Sequence, residues 1–326
     1  CRMSTVSDAL DALTDLQPDR ARITADILHG LSQHPRQLPS KYFYDARGSQ
    51  LFEQITRQPE YYPTRTELRL LQQVSSEIAR AVGARLHVVE LGSGSGRKTE
   101  LLLHALPDPV AYTPIEISRA ALLDSVARLA VALPEIEMLP VCADFTRPVE
   151  LPEPQREPAR RLLFFPGSTL GNFAHDDAVA LLDAMRQTMG GNGMALIGID
   201  LHKDPALIEA AYNDAAGVTA AFTLNLLQRL NREIGSDFDL DGFEHRARYS
   251  VPRLRIETEL VSRRAQQVHV DGRRFDFAEG EAMTVEYSHK YTEASFAALI
   301  AEAGLKVRMQ WDATDPAFGL RLLQRA

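Results

Sequence analysis

The 326-residue sequence is short of several things, and each shortage closes off a class of protein. It has two cysteines, Cys1 and Cys142, too few for a disulfide framework and in keeping with a reducing, cytoplasmic setting. Its longest apolar runs, such as 162–165 and 194–199, fall far below the ~20 residues that a membrane-spanning helix needs. The start of the chain lacks an apolar signal core, and Cys1-Arg2 ahead of Met3 reads as an expression remnant. There is no basic surplus: 36 Lys and Arg face 44 Asp and Glu, for a net charge of −8, which disfavours a nucleic-acid partner. Lysine itself is scarce, five against 31 arginines, a bias of composition with no functional reading. The nine histidines form no His-Glu-x-x-His pattern and no Cys/His spacing suited to zinc, so no metal is expected. Repeats, low-complexity tracts and Gly/Ser linkers are also missing.

What is present is an ordinary globular composition, 45% hydrophobic, of a length that allows one large domain or two interleaved ones. Apolar residues at Leu68, Leu71, Val74, Ile78 and Val82 predict an amphipathic helix over 66–82. Strands are expected over 86–91, 111–117, 137–143, 161–165 and 194–200. Helices over 98–106, 118–133 and 176–189 separate them. That alternation indicates a doubly wound, Rossmann-like α/β domain with a parallel sheet. The pattern breaks after Asp200: residues 205–234 read as mostly helical. Residues 254–260, 267–270 and 274–277 then alternate apolar and polar, with an Asp271-Gly272 hairpin signal. A helix over 292–303 and strands over 306–311 and 318–324 close the α/β domain. The expected division is a domain of 66–200 with 291–326, and an α+β lobe of 1–65 with 201–290.

The first strand runs into Gly92-Ser93-Gly94-Ser95-Gly96. A dinucleotide fingerprint would need glycine where Arg97 stands, and a nucleophile elbow would need serine where Gly94 stands. A phosphate loop fits from Gly92 to Lys98-Thr99 except at Arg97, which leaves a nucleotide-binding enzyme as a rival. Against phosphate stands Glu90, just before the loop, where a carboxylate repels polyphosphate and suits an ammonium and a sulfonium. Glu116 ends the second strand, placed to accept both hydroxyls of a ribose. Asp144-Phe145 ends the third, suited to an adenine amino group and ring. Each piece alone is open to a plainer account: a tight turn, a solvated acid, a cap. In order across three βα units, they resemble the S-adenosylmethionine (SAM)-dependent methyltransferases. On that resemblance Glu90, Gly92, Ser93, Gly94, Lys98, Glu116, Asp144 and Phe145 are the cofactor-binding candidates.

Tyrosine is concentrated near the N-terminus. Four of nine fall within residues 42–62, in Lys41-Tyr42-Phe43-Tyr44-Asp45-Ala46-Arg47-Gly48-Ser49 and Pro59-Glu60-Tyr61-Tyr62-Pro63-Thr64-Arg65-Thr66-Glu67. An apolar ring with a neutral hydroxyl suits a small polar aromatic ligand, and equally a packed aromatic lid. These segments resemble the histidine-specific methyltransferase family, the histidine Nα-methyltransferases of ergothioneine synthesis. So do Phe164-Phe165-Pro166-Gly167-Ser168-Thr169-Leu170-Gly171-Asn172-Phe173, residues 211–222, and Glu286-Tyr287-Ser288-His289-Lys290-Tyr291.

The resemblance implies a methyltransferase domain with a substrate lobe, and a SAM-dependent transfer of three methyl groups to L-histidine, releasing S-adenosylhomocysteine (SAH). Asn172 and Tyr212 would bind the substrate carboxylate. Tyr44 and the Gly167 backbone would flank the reacting amine, and Tyr61, Glu286 and Ser288 would hold the imidazole. Two departures from the family's pattern stand out: Glu116 where aspartate is common, and Tyr287 and His289 beside Ser288 where residues are often smaller. Strand alternation turns both of the latter away from the face of Glu286 and Ser288. Rivals are a methyltransferase of the same family acting on a tryptophan-derived or other amine, the phosphate-loop enzyme, and a scaffold that keeps the fold without turnover. The chain is expected to be a cytoplasmic monomer whose partners are small molecules, L-histidine and its Nα-methyl derivatives, with neither nucleic acid nor membrane.

Overall fold

A computed structural model describes residues 6–326; Cys1 and the expected expression remnant lie outside them. The chain divides into two compact units. One comprises residues 6–17, Pro63–His202 and Lys290–Ala326; the other is Pro18–Tyr62 with Lys203–His289.

The first unit is built on a nine-stranded sheet. From one edge its strands run Thr14–Leu16, Val141–Ala143, Ala111–Glu116, Leu86–Leu91, Arg160–Phe165, Met194–Asp200, Ala317–Arg325 and Leu305–Thr314, with Glu137–Met138 paired to Ala111–Glu116. All pair in parallel up to Met194–Asp200, and the last two join antiparallel as a closing hairpin. Neighbouring residues of each strand serve opposite faces. Val88, Tyr112, Leu162, Phe164 and Leu196 meet the helices Tyr62–Val82, Arg97–Ala105 and Arg119–Ala132. Val89, Ile115, Leu163, Phe165 and Ile197 meet His175–Met189 and Glu293–Glu302. Burial on both faces is why these strands read as unbroken apolar runs. Leu86–Leu91 lies where the strand order reverses, and the crevice at the carboxyl ends of strands at such a point is where doubly wound sheets bind ligands.

Two expectations change here. Residues 6–17, assigned from sequence to the lobe, belong to the sheet unit, because Thr14–Leu16 pairs in parallel with Val141–Ala143. The strand expected over 137–143 is split, since Pro140 has no N–H to give the ladder. The mostly helical stretch over 205–234 consists of two helices, Pro205–Ala210 and Val218–Ile234. Between them Gly217 turns left-handed at φ 72° and Asp214 accepts from the amides of Val218 and Thr219, an acidic cap that starts the second helix.

The second unit carries a four-stranded sheet ordered Arg36–Gln37, Ala282–His289, Arg255–Ser262, Phe243–Ser250, the three long strands antiparallel. Helices Arg20–Ser32, Ala46–Ile55 and Val218–Ile234 share one apolar core with its inner face. The hairpin of Gln266–Val270 and Arg273–Phe277 turns at Asp271-Gly272 as expected, both residues at positive φ.

The strand Ala282–His289 contains a bulge. Glu259 pairs with Thr284 and Thr258 with Glu286, so Val285 is the extra residue. Directly opposed residues share a face. Met283, opposite Leu260, and the bulged Val285 fill the core, and a regular alternation would next turn Tyr287 and His289 inward. The bulge resets the phase. Glu286, opposite Thr258, and Ser288, opposite Ile256, take the inner face, while Tyr287 stacks under Arg255 at 3.8 Å and touches the His289 ring on the other side.

Candidate active site

The sequence candidates fall into two groups. Glu90, Gly92, Ser93, Gly94, Lys98, Glu116, Asp144, Phe145, Gly167 and Asn172 belong to the sheet unit; Tyr44, Tyr61, Tyr212, Glu286 and Ser288 belong to the lobe unit.

In the sheet unit the glycine loop leaves the central strand at the switch point. Gly92, Gly94 and Gly96 all have positive φ, so three amides in a short span turn away from the path a β-branched or bulky residue would impose. Gly92 donates to the Ile115 carbonyl at 2.8 Å, and Gly94 to Glu116 Oε2 at 3.0 Å. Glu116 Oε1 accepts from Ser118 N at 3.0 Å, and burial raises its pKa. Each carboxylate oxygen has a second lone pair, so these bonds orient Glu116 and still leave acceptors for ribose hydroxyls. Asp144 Oδ1 accepts from Thr146 N at 3.0 Å, fixing the end of the third strand. Phe145 lies edge-on to Phe165 and Phe173, and a Cβ on Gly92 would come within 3.4 Å of its ring.

Two sequence candidates have partners within the protein that the sequence did not show. Glu90, read as facing a cationic ligand, lies under the loop with Oε2 accepting from the Thr99 and Tyr112 hydroxyls, and burial pushes its pKa up to about 8. Lys98 is ion-paired with Glu67. Whether the unit suits a nucleoside cofactor is answered by two observations. The Ser93 hydroxyl is buried without a partner, and a Cβ on Gly94 would meet nothing within 4 Å. An orphaned hydroxyl beside open space on a glycine loop is what a ligand with polar edges would satisfy, so the residues fit.

Gly167 follows the strand Arg160–Phe165 with φ 82°, and Ser168 is also left-handed at 57°. The turn continues into a short 3₁₀ segment, Thr169–Asn172. Asn172 does not cap the next helix; Ala174 holds that position.

In the lobe unit the candidates are contiguous. Tyr212 Oη and Ser288 Oγ share a hydrogen bond at 2.7 Å, buried. The Tyr212 ring lies 6.3 Å from Tyr61, Tyr61 lies 6.2 Å from Phe52, and Phe52 lies 5.8 Å from Tyr44, all edge-on. Phe222 closes the group against Tyr44 and Phe52. Glu286 stands on the same sheet face as Ser288, opposite Thr258, whose buried hydroxyl has no partner. His245 fixes Tyr212 from behind: its Nε2 bonds the Tyr212 carbonyl at 2.9 Å and Nδ1 the Thr223 hydroxyl at 3.0 Å. Burial lowers its pKa, which favours a neutral ring with one N–H for the carbonyl and one lone pair for the hydroxyl. An apolar aromatic surround with a few convergent polar groups is the usual make-up of a small-molecule site.

Sequence reasoning missed Phe52, Phe222, His245, Thr258 and Glu67. Phe52 and Phe222 sit within segments singled out for other residues. Glu67 carried a signal of its own: it interrupts the apolar stripe of its helix, where only a partnered acid is tolerated. Thr258 and His245 give no local sign, because their position is a matter of strand register.

A family described as "Histidine-specific methyltransferase, SAM-dependent" matches residues 23–325. The chain is similar to a histidine N-alpha-methyltransferase of Mycolicibacterium smegmatis, 44% identical over 308 residues, 92% of this chain and 94% of that one. A histidine N-alpha-methyltransferase of Mycobacterium tuberculosis is 40% identical over 305 residues, 91% and 93% of the two chains. An L-tryptophan methyltransferase of Psilocybe serbica is 28% identical over 320 residues, 89% of each.

Proposed function

The chain belongs to the histidine-specific, SAM-dependent methyltransferase family, and from that premise we propose that it methylates the α-amino nitrogen of L-histidine three times, giving Nα,Nα,Nα-trimethylhistidine. The observation that carries the choice of substrate is the row of polar groups on the inner face of the lobe sheet, Ser288 bonded to Tyr212 with Glu286 beside them. An imidazole has two ring nitrogens. A carboxylate that only accepts and a hydroxyl that accepts or donates can satisfy both. An indole offers one ring N–H and no acceptor nitrogen, so it can engage only one of the two.

SAM, when bound, supplies an electrophilic methyl carbon on a sulfonium. The protein's part is to hold and orient. Gly92, Ser93 and Gly94 would receive the cofactor along the glycine loop, with Glu116 on the ribose and Asp144 and Phe145 at the adenine. Asn172 and Tyr212 would hold the substrate carboxylate with neutral donors, adding no cation near the sulfonium. Tyr61, Glu286 and Ser288 would fix the ring, with Tyr44 and the Gly167 backbone flanking the amine.

The α-amino group of a free amino acid is mostly protonated at physiological pH, so transfer draws on the neutral minority, whose lone pair must be aligned along the C–S bond. Its proton would leave to solvent or by way of Tyr44. The three transfers require room at nitrogen that grows by one methyl each time.

Mass spectrometry of the chain incubated with SAM and L-histidine tests the reading. Successive gains of one, two and three methyl groups are expected. Methylation of tryptophan with histidine untouched would transfer the chain to a different substrate, and no transfer to either would overturn the activity.

A further inference from the structure

Glu67 stands on the apolar stripe of the helix Tyr62–Val82, one turn before Leu71 and three before Ile78, and like them it is fully buried. A carboxylate in such a place must be partnered or it destabilises the fold. Both of its oxygens accept from the Gly167 amide, at 3.0 and 2.8 Å, and Oε2 also pairs with the Lys98 ammonium. Strand Met194–Asp200 makes room for it. A Cβ on Gly198 would fall 2.0 Å from Glu67 Oε1 and 3.3 Å from Gly167 N, so the carboxylate fills the space a side chain would need.

The same turn is held from its other sides. The Thr169 hydroxyl donates to the Pro166 carbonyl at 2.9 Å, and Ser168 Oγ accepts from Asp200 N at 2.9 Å. Gly167 and Ser168 are consecutive left-handed residues, and Ser168 carries a Cβ. A backbone of that kind persists only when its surroundings over-determine it. Here four elements do so: the helix bearing Glu67, the helix bearing Lys98, the strand bearing Gly198 and Asp200, and the 3₁₀ segment beginning at Thr169.

We propose that Glu67 is a positioning residue for methyl transfer, clamping the Gly167 peptide through its N–H. The proposal rests on the reading of Gly167 as a neighbour of the reacting amine.

The test compares Glu67→Gln, which keeps an acceptor for the Gly167 amide, with Glu67→Leu, which removes it; both leave Lys98 without its carboxylate. Each is checked by circular dichroism and Tm, then assayed for histidine methylation. We expect kcat at least tenfold higher in Glu67→Gln than in Glu67→Leu, with the KM for histidine within threefold between them.

Equal kcat in the two variants overturns the clamp. Should Glu67→Leu not fold, Glu67→Asp takes its place: its shorter side chain falls short of Gly167, so kcat drops below that of Glu67→Gln while the KM for histidine holds. A wild-type chain inert toward histidine overturns the functional reading, and the clamp's role with it. An active wild type with equal variants overturns the clamp alone.

Discussion

The two candidate sites are made of different material. In the sheet unit the candidate groups come from one loop and the ends of strands, and the loop is shaped by backbone: Gly92 and Gly94 at positive φ, the Gly92 amide on the Ile115 carbonyl and the Gly94 amide on Glu116. In the lobe unit the candidate site is side chain throughout, five aromatic rings and a hydroxyl pair, drawn from residues 44–61, 212–222 and 286–288. A cofactor shared by many reactions can be held by a local motif that sequence repeats with little change. A substrate that must be told from its analogues needs side chains, and side chains from distant segments meet only through tertiary structure.

The contrast can be pressed at its strongest point first. Glu90 is a buried acid whose pKa burial raises from its ordinary 4.5 to about 8. The folded state therefore holds the proton that the unfolded chain releases, and stability from this group is full below pH 4.5 and lost as pH rises through 8. By linkage the loss is at most about 5 kcal/mol. Urea unfolding at pH 5 and pH 8.5 should show the decline in the wild type and a flatter profile in Glu90→Gln; an unchanged slope would mean the acid is not held as its burial implies.

On the lobe side, Glu286→Ala should weaken histidine binding by about thirtyfold to a hundredfold, the ~2–3 kcal/mol of a hydrogen bond to a charged group, with SAH affinity unmoved. Calorimetry with each ligand separately measures both; parallel losses would erase the division of labour between the units. The converse probe is Gly94→Ala. At φ 49° with open space beyond, the added Cβ costs ~1–2 kcal/mol of strain and enters the ligand's room, so SAH affinity should fall about tenfold. The mildest case is Gly272→Ala at φ 74°, also with nothing within 4 Å: a Tm drop matching ~1 kcal/mol and no change in either ligand's affinity, by differential scanning calorimetry. A loss of binding there would mean that the hairpin tip does more than turn the chain.

Much of the sheet unit was legible because its signals are local. The strand Leu86–Leu91, its glycines, and the acids at 116 and 144 are contiguous with the elements that place them, and the family resemblance added the lobe segments. Less legible was whatever depended on partners far along the chain. Residues 6–17 give no sign that Thr14–Leu16 will pair with Val141–Ala143. The pairing of Lys98 with Glu67, and the bonds of Glu90 with Tyr112 and Thr99, likewise appear only in the folded chain. No helix among the described residues is long and apolar enough to cross a membrane.

The sequence by itself determined the alternation of strand and helix, the glycine loop at the head of the sheet and the identity of the candidate substrate residues. Short-range sterics and hydrophobic period fix these within a few residues of chain. Tertiary structure alone decided which way those residues face. Period two carried forward from Met283 and Val285 would have turned Tyr287 and His289 inward, and one extra residue in the ladder turned Glu286 and Ser288 inward instead. Pairing with a strand some thirty residues earlier sets that register, and a side chain's face is a property of the pair.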